Sequence, residues 1–509
     1  MHYLAFLPYV TGAAAARQER GVSSLARGAG LMMALRLVER SIGLASTLIL
    51  ARILTPDDFG LVAMAMSVLT LIELMGAFGF DVALIQRQDA QRHHFDTAWT
   101  YNVLFSASVA LLLLVCAPFA ADFYREPKLQ LVLSVLAIGA LVQGAENIGT
   151  VTFRKQMNFG QEFRFLLSKK LISFSVTMVL AFTLRNYWAL VGGIIVGKLC
   201  AVLLSYKVHP FRPRFSLAAS RDLFHFSKWL LVSNLIVFLQ NKSDSFILGR
   251  TVGAHDLGLY NVASEIAVLP STELIAPINR AAFPAYSANA ANLDALRSKF
   301  LSVFGFIGLL AFPMSIGLAC VAGPAVAVLL GPQWAAAVPL LQLFTVCGLT
   351  SAIQSNLIMV IVALGKPKAN TMLSGAMLVL YLPALAYASL QYGALGAAWV
   401  HLVMSCVVLV PLHIVFLRMT GLSAARYFGA LWRPLAGAAV MGAVVLLLQR
   451  QLAGAAQPWP ALLQLLVCIC AGAISYVTMV LTLWHAAGRP AASAEGTMLA
   501  SVAGRFQSA

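Results

Sequence analysis

Arg36, Glu39 and Arg40 interrupt an otherwise apolar run, and their i, i+3, i+4 spacing puts all three on one helix face. Gly43 and Thr47 continue that face. Ionisable groups in hydrocarbon cost several kcal/mol and mark pathways or binding sites. Paired cations there suit an anion, and guanidinium matches phosphate in a bidentate way. A second polar set, Asn234, Gln240, Asn241, Lys242 and Asp244, punctuates another apolar run. Lys198 sits within VGGIIVGK, and Arg280 within a proline-bearing run. Arg36, Arg40, Lys242, Arg280 and Lys198 are therefore the candidate anion ligands. Glu39, Asp244 and Glu73 are candidate coupling groups or counter-ions. Arg36 has an alternative in snorkelling to the headgroups, as do Lys169 and Lys170, which are adjacent on their helix. With ~1.5 Å of rise per residue, Arg40 lies ~13 Å and Lys242 ~20 Å from the cytoplasmic ends of their helices.

The elements that must hold these residues are membrane helices. Apolar residues make up 60% of the 509-residue chain and charged ones 11%, against about 45–50% and about 25% in soluble domains. Mean hydropathy is +0.84. With ~20 residues per span, the sequence predicts an all-α polytopic membrane protein of about fourteen helices. A tail, 1–28, precedes an N-lobe of six spans over 29–206. A basic linker, 207–228, leads to a C-lobe of six spans over 229–418. Two further spans over 419–485 and a polar tail, 486–509, complete the chain. The lobes are related by a repeat: Leu48–Ala65 (LILARILTPDDFGLVAMA) matches Phe246–Ala263 (FILGRTVGAHDLGLYNVA) 198 residues on, without a gap. Ile49, Leu50, Arg52, Asp58, Gly60, Leu61 and Ala65 all meet their own kind. Two related helical bundles are a secondary-transporter architecture.

Hinges are expected where prolines weaken the backbone. Pro270, Pro277 and Pro284 recur at heptad spacing, with Glu265, Glu273 and Arg280 between them. Gly76, in GAFGF, marks the equivalent region of the first lobe. Ordinary kinked packing helices are the alternative.

The net charge of +16 reflects topology rather than nucleic-acid binding. Arg154, Lys155, Arg164, Lys207, Arg212 and Arg214 fall in alternate short gaps, while the other gaps hold only Arg52, Arg125, Lys128, Arg185, Arg250 and Arg450. By the positive-inside rule both termini are cytoplasmic. All seven cysteines lie in apolar runs, which argues against a disulfide or zinc framework. No Walker A or dinucleotide fingerprint is present, so neither enzyme activity, cofactor nor metal is expected.

RILTPDDFGLVAMA followed by LIQR resembles the lead segment of the polysaccharide-transporter (oligosaccharide flippase) family. Its superfamily also holds multidrug extruders and the peptidoglycan-precursor flippase. DSFILGRTVGAHDLGLYNVA, PINRAAFPAYS and GPQWAAAVPLLQL resemble later signatures of that family. The likeness is closest to the colanic-acid-exporter branch and covers roughly residues 30–420. It implies twelve core helices in two lobes around a V-shaped cavity, with two extra helices. The implied substrate is a polyprenyl-pyrophosphate oligosaccharide, moved across the bacterial inner membrane for surface polysaccharide synthesis. Asn234, Gln240 and Asn241 are then candidates for the sugar. Membrane lipids surround a monomer, with a polysaccharide polymerase and a chain-length regulator as partners. A cation-coupled multidrug antiporter of the same fold would favour an acidic cavity. A polysaccharide polymerase or ligase would need a large external loop.

Overall fold

The computed structural model describes all residues except 1–6, 75–78, 88, 221–226, 454–459, 491–492, 497 and 499–509. The side chains of 7–27, 29, 227–237, 241, 367–371 and 453 also lie outside the described set. The predicted hinge Gly76 is thus outside it, as are the side chains of Asn234 and Asn241.

The chain is an all-α polytopic membrane protein. By length and composition, eight described helices can cross a membrane, or nine if the pair Lys128–Gly144 and Ile148–Lys155, bent by 62°, forms one span. In order, the principal helices are α1 (Leu7–Ile53), α2 (Pro56–Leu74), α3 (Arg92–Tyr124), α4 (Lys128–Gly144), α5 (Phe159–Leu184), α6 (Trp188–Val208) and α7 (Ser227–Thr251). There follow α8 (Gly253–Pro270), α9 (Ala276–Ala288), α10 (Leu293–Cys320), α11 (Val338–Ala363), α12 (Pro367–Thr420), α13 (Trp432–Ala453) and α14 (Ala461–Ala486). α12 breaks at Gly393, whose φ of 65° and ψ of −152° favour a residue without a Cβ.

The helices group into two compact units. The first comprises Met1–Leu54 and Met64–Lys242. Within it α3 pairs with α4, and α5 with α6, through tight turns. The linker is strapped down rather than loose. The backbone N–H of Arg214 donates to Asp96 Oδ1 at 2.9 Å, and those of Ser216 and Ala219 donate to the hydroxyls of Thr100 and Thr97 at 2.9 and 3.2 Å. Asp96, Thr97 and Thr100 are buried at the start of α3 for this reason. Asn147, fully buried, donates to the carbonyl of Phe211 at 2.8 Å.

The second unit comprises Thr55–Ala63 and Ser243–Ala509. Its core stacks Phe300 on Phe304 at 4.9 Å, with Phe416 tilted against Phe300 at 4.5 Å and Tyr427 against Phe304 at 4.7 Å. The nine residues borrowed from the first repeat begin with a capping box: Thr55 N–H and Oγ1 both donate to Asp58 Oδ2, at 2.9 and 2.8 Å, and Pro56 fills the first helical position. Repeat symmetry is visible in their packing. A Cβ on Gly60 would strike the carbonyl of Ala254, and a Cβ on Gly258 would strike that of Pro56. Asp57 and His255, equivalent positions 198 residues apart, meet at 2.9 Å between the two contacts. Hence the shared glycines: each lets one backbone approach the other's start.

Between α8 and α9 the chain passes through a π-helical turn, Ser271–Ile275, directly after Pro270. Such turns arise where a proline removes a hydrogen bond and are frequent at functional sites. Pro277 follows at the start of α9. At the far end, Glu495 pairs with Arg433 at 3.3 Å, both buried, so part of the C-terminal tail docks on α13.

Candidate functional site

The first unit contains a charged cleft between α1, α4, α5 and α6. Small residues open it: Gly193 and Gly197 on α6 lie against Thr177 and Ser173 on α5. The cleft encloses about 310 Å³ and is lined by Glu39, Glu146, Lys169, Lys170, Ser173 and Lys198. Three lysines face two carboxylates on its walls, and Glu73 pairs with one of the three from beside them. Lys169 Nζ donates to Glu146 Oε1 at 3.1 Å. Lys198 Nζ donates to Glu73 Oε1 at 3.3 Å, and its side chain is 17% exposed. Lys198 is mid-span, ~15 Å from either end of α6.

A larger neighbouring cavity of about 430 Å³ shares Gln143, Glu146 and Lys169 and adds Glu73, Asn102 and Arg154 to its walls. Arg154 bridges Glu162 at 2.6 Å and Asp81 at 3.8 Å there. This cavity is acidic overall, with amides between its charges.

Of the predicted anion ligands, Lys198 lines the lysine-bearing cleft; of the predicted coupling groups, Glu39 lines it and Glu73 pairs with Lys198. Arg36 is exposed and Arg40 half-buried on the same helix as Glu39. Lys169 and Lys170 line the cleft together, although adjacent helical positions differ by about 100°. Adjacency argues against a shared face, but a cleft wider than one face takes both. Lys242 is half-buried, Gln240 exposed, and Arg280 exposed with its Nε donating to the Ala276 carbonyl at 3.4 Å.

The second unit holds a separate polar knot around Asp244. Oδ1 accepts from Tyr381 Oη at 2.6 Å and Oδ2 from Tyr260 Oη at 3.0 Å. His401 Nδ1 lies 3.2 Å from Tyr381 Oη and 3.8 Å from Asp244 Oδ2. The partners come from α8 and from both sides of the Gly393 break in α12. Tyr381 and His401 escape sequence reading because one phenol and one isolated imidazole in apolar runs look like ordinary packing; only the bend that brings them together gives them meaning.

These features, an all-helical two-unit fold with ionisable clefts inside its bundles, define a membrane transporter. The solved fold of lipid II flippase MurJ in an inward closed conformation matches with a TM-score of 0.72, covering 89% of this chain and 99% of that one at 12% identity. An inward-facing multidrug resistance MATE family transporter of the MOP superfamily matches at 0.54, covering 77% of this chain and 100% of that one at 14% identity. Residues 49–339, more than half of the chain, match the family described as polysaccharide biosynthesis protein, and the chain belongs to that family. The teichuronic acid biosynthesis protein TuaB of Bacillus subtilis is 27% identical over 371 residues, 72% of this chain and 77% of that protein. The lipopolysaccharide biosynthesis protein WzxC of Escherichia coli is 25% identical over 402 residues, 77% of this chain and 81% of the relative.

Proposed function

We propose that the protein flips a polyprenyl-pyrophosphate oligosaccharide across the bacterial cytoplasmic membrane, with both termini in the cytoplasm, for assembly of a surface polysaccharide. The observation that carries this reading is the cleft that gathers Lys169, Lys170 and Lys198, set inside a helical bundle of a polysaccharide biosynthesis family member. A pyrophosphate entering it exchanges water for ammonium groups, which offsets its desolvation. Lys198 leaves Glu73 to meet the anion, so cargo binding exchanges one ion pair for another. That exchange links cargo binding to charge movement. Arg36, Arg40, Lys242 and Arg280 extend the cationic path, and Gln240, Asn234 and Asn241 serve the sugar. The lipid tail stays in the bilayer. The lobes rock about Pro270, Pro277 and the Gly76 region. Glu39 and Asp244 complete the coupling set, and a polymerase and chain-length regulator receive the product of a monomeric flippase.

The test is replacement of Lys198 and Lys169 by Ala, singly and together, in cells whose lipid-linked oligosaccharide is quantified on each leaflet. Single variants are expected to slow transfer about 10-fold, the worth of one charge-assisted contact of ~1.4 kcal/mol. Unchanged transfer in the double variant removes the site. Unchanged transfer after deletion of the whole gene removes the function.

A further inference from the structure

We propose that His401, Tyr381 and Asp244 form a proton relay, so that the ion driving the cycle is H⁺ and its carrier is Asp244. The proposal rests on the transport reading for its purpose but on the geometry of the second unit for its substance. Asp244 lies seven residues before the end of α7, ~10 Å inside the helix end. Both carboxylate oxygens receive phenol O–H groups, at 2.6 and 3.0 Å. A phenol that donates to a carboxylate turns its hydrogen, rather than a lone pair, toward the site. This arrangement therefore satisfies the carboxylate with protons and offers an alkali cation no ring of acceptor oxygens.

The accessible end is His401, 40% exposed, against 21% for Asp244; Tyr260, at the inner end, is buried. The Phe344 ring walls both, packed edge-on to Tyr260 at 4.8 Å and to His401 at 5.8 Å. Among the described residues, the thiol of Cys347 on α11, itself beside Cys406, also faces Tyr381.

The transfer balances without any further reactant. A water-borne proton enters at His401 Nε2. The imidazolium Nδ1–H passes its proton to Tyr381 Oη across 3.2 Å, as Tyr381 passes its own to Asp244 Oδ1 across 2.6 Å. His401 is left neutral with hydrogen on Nε2, Tyr381 keeps one hydrogen, and Asp244 becomes a neutral acid. That acid now donates to Tyr381 where the carboxylate accepted, so the tie of α7 to α12 is reversed while Tyr260 still donates to Oδ2. Proton uptake thereby acts on the contact between α7 and α12.

The full chain, reconstituted in phosphatidylethanolamine and phosphatidylglycerol vesicles, is titrated by infrared spectroscopy. Lowering the pH is expected to raise a protonated-carboxyl band that is missing in Asp244→Asn. In Tyr381→Phe and His401→Gln the band still appears, but after a pH jump it forms ~10-fold or more slowly. Added sodium at fixed pH leaves it unchanged. A full band in Asp244→Asn, unaltered rates in both relay variants, or sodium acting in place of acid would each overturn the relay. Circular dichroism of the variants separates misfolding from loss of the proton site. Leaflet transfer of lipid-linked oligosaccharide, measured on the same preparations, keeps the two readings apart. A titrating Asp244 without glycan transfer removes the flippase reading alone; glycan transfer without the band removes the relay alone.

Discussion

At the scale of single residues, two kinds of polar group stand out among the described residues of the first unit, those fastened to backbone and those set against an opposite charge. Asp96 is of the first kind. Its replacement by Ala removes the carboxylate that accepts the N–H of Arg214 and is expected to cost about 1–3 kcal/mol, seen as faster proteolysis of the linker over 209–217. Lys198 and Glu73 are of the second. Because Glu73 is 39% exposed, their coupling in a double-mutant cycle with Lys198→Met and Glu73→Gln is expected to be only about 0.5–1 kcal/mol of thermal stability. A far larger effect on transfer would then mark the pair as functional rather than structural. His209, just past α6, gives a pH dependence. Its Nδ1 accepts the N–H of Phe211 at 3.1 Å and its Nε2 lies 3.1 Å from the Thr152 hydroxyl. Burial, then the charge of Arg212, holds its pKa below the ordinary value of 6.5. Around that value the unfolded chain binds more protons than the folded one, so stability falls as pH drops through it and levels off below the folded pKa. Melting curves from about pH 7.5 to about 5 should show the fall in the native protein and less of it in His209→Asn, which retains polar groups but does not titrate. Lys198 was legible because a lysine in the middle of a glycine-rich apolar run has no cheap explanation. Lys169 and Lys170 were not, since residues near a helix end have one in snorkelling, and only the packing of α5 against α6 shows the space they share.

At the scale of elements, hydrophobic runs separated by short basic gaps pointed to an all-α membrane protein, and Gly393 turns the chain inside α12. The prolines predicted a weak place between α8 and α9, but not its form. A π-helical turn inserts one residue without altering the polarity pattern, so composition carries no trace of it. It sets the register of everything after it: Asn279 on α9 donates to Ser355 at 2.8 Å and accepts from Asn356 at 2.7 Å. Inserting one Ala after Ala276, beyond the turn, should rotate the rest of α9 by about 100°. The buried Asn279–Asn356 bond is then lost, which is expected to cost about 1–3 kcal/mol. Thermal unfolding of the purified variant and leaflet assays in cells would check this: the protein still inserts, unfolds earlier and transfers little.

At the scale of the whole molecule, the gapless repeat announced two related halves, yet the compact units do not coincide with them, because Thr55–Ala63 leaves its own half for the other. The signal for that exchange lay in the paired glycines, which sequence reading aligned without seeing that each makes room for the partner repeat. Gly60→Ala and Gly258→Ala should each destabilise by about 1–3 kcal/mol, since the new methyl meets backbone that cannot swing aside; the double variant should fall short of the sum if both strain one joint. Melting of the three purified variants measures this. The borrowed segment also lays Phe59 edge-on against the fully buried Trp334 at 5.3 Å. A second half synthesised alone would therefore be born with an open seat beside that indole. Whatever ancestor was doubled to make this gene, its descendants have traded a strip of chain and can no longer be inherited separately.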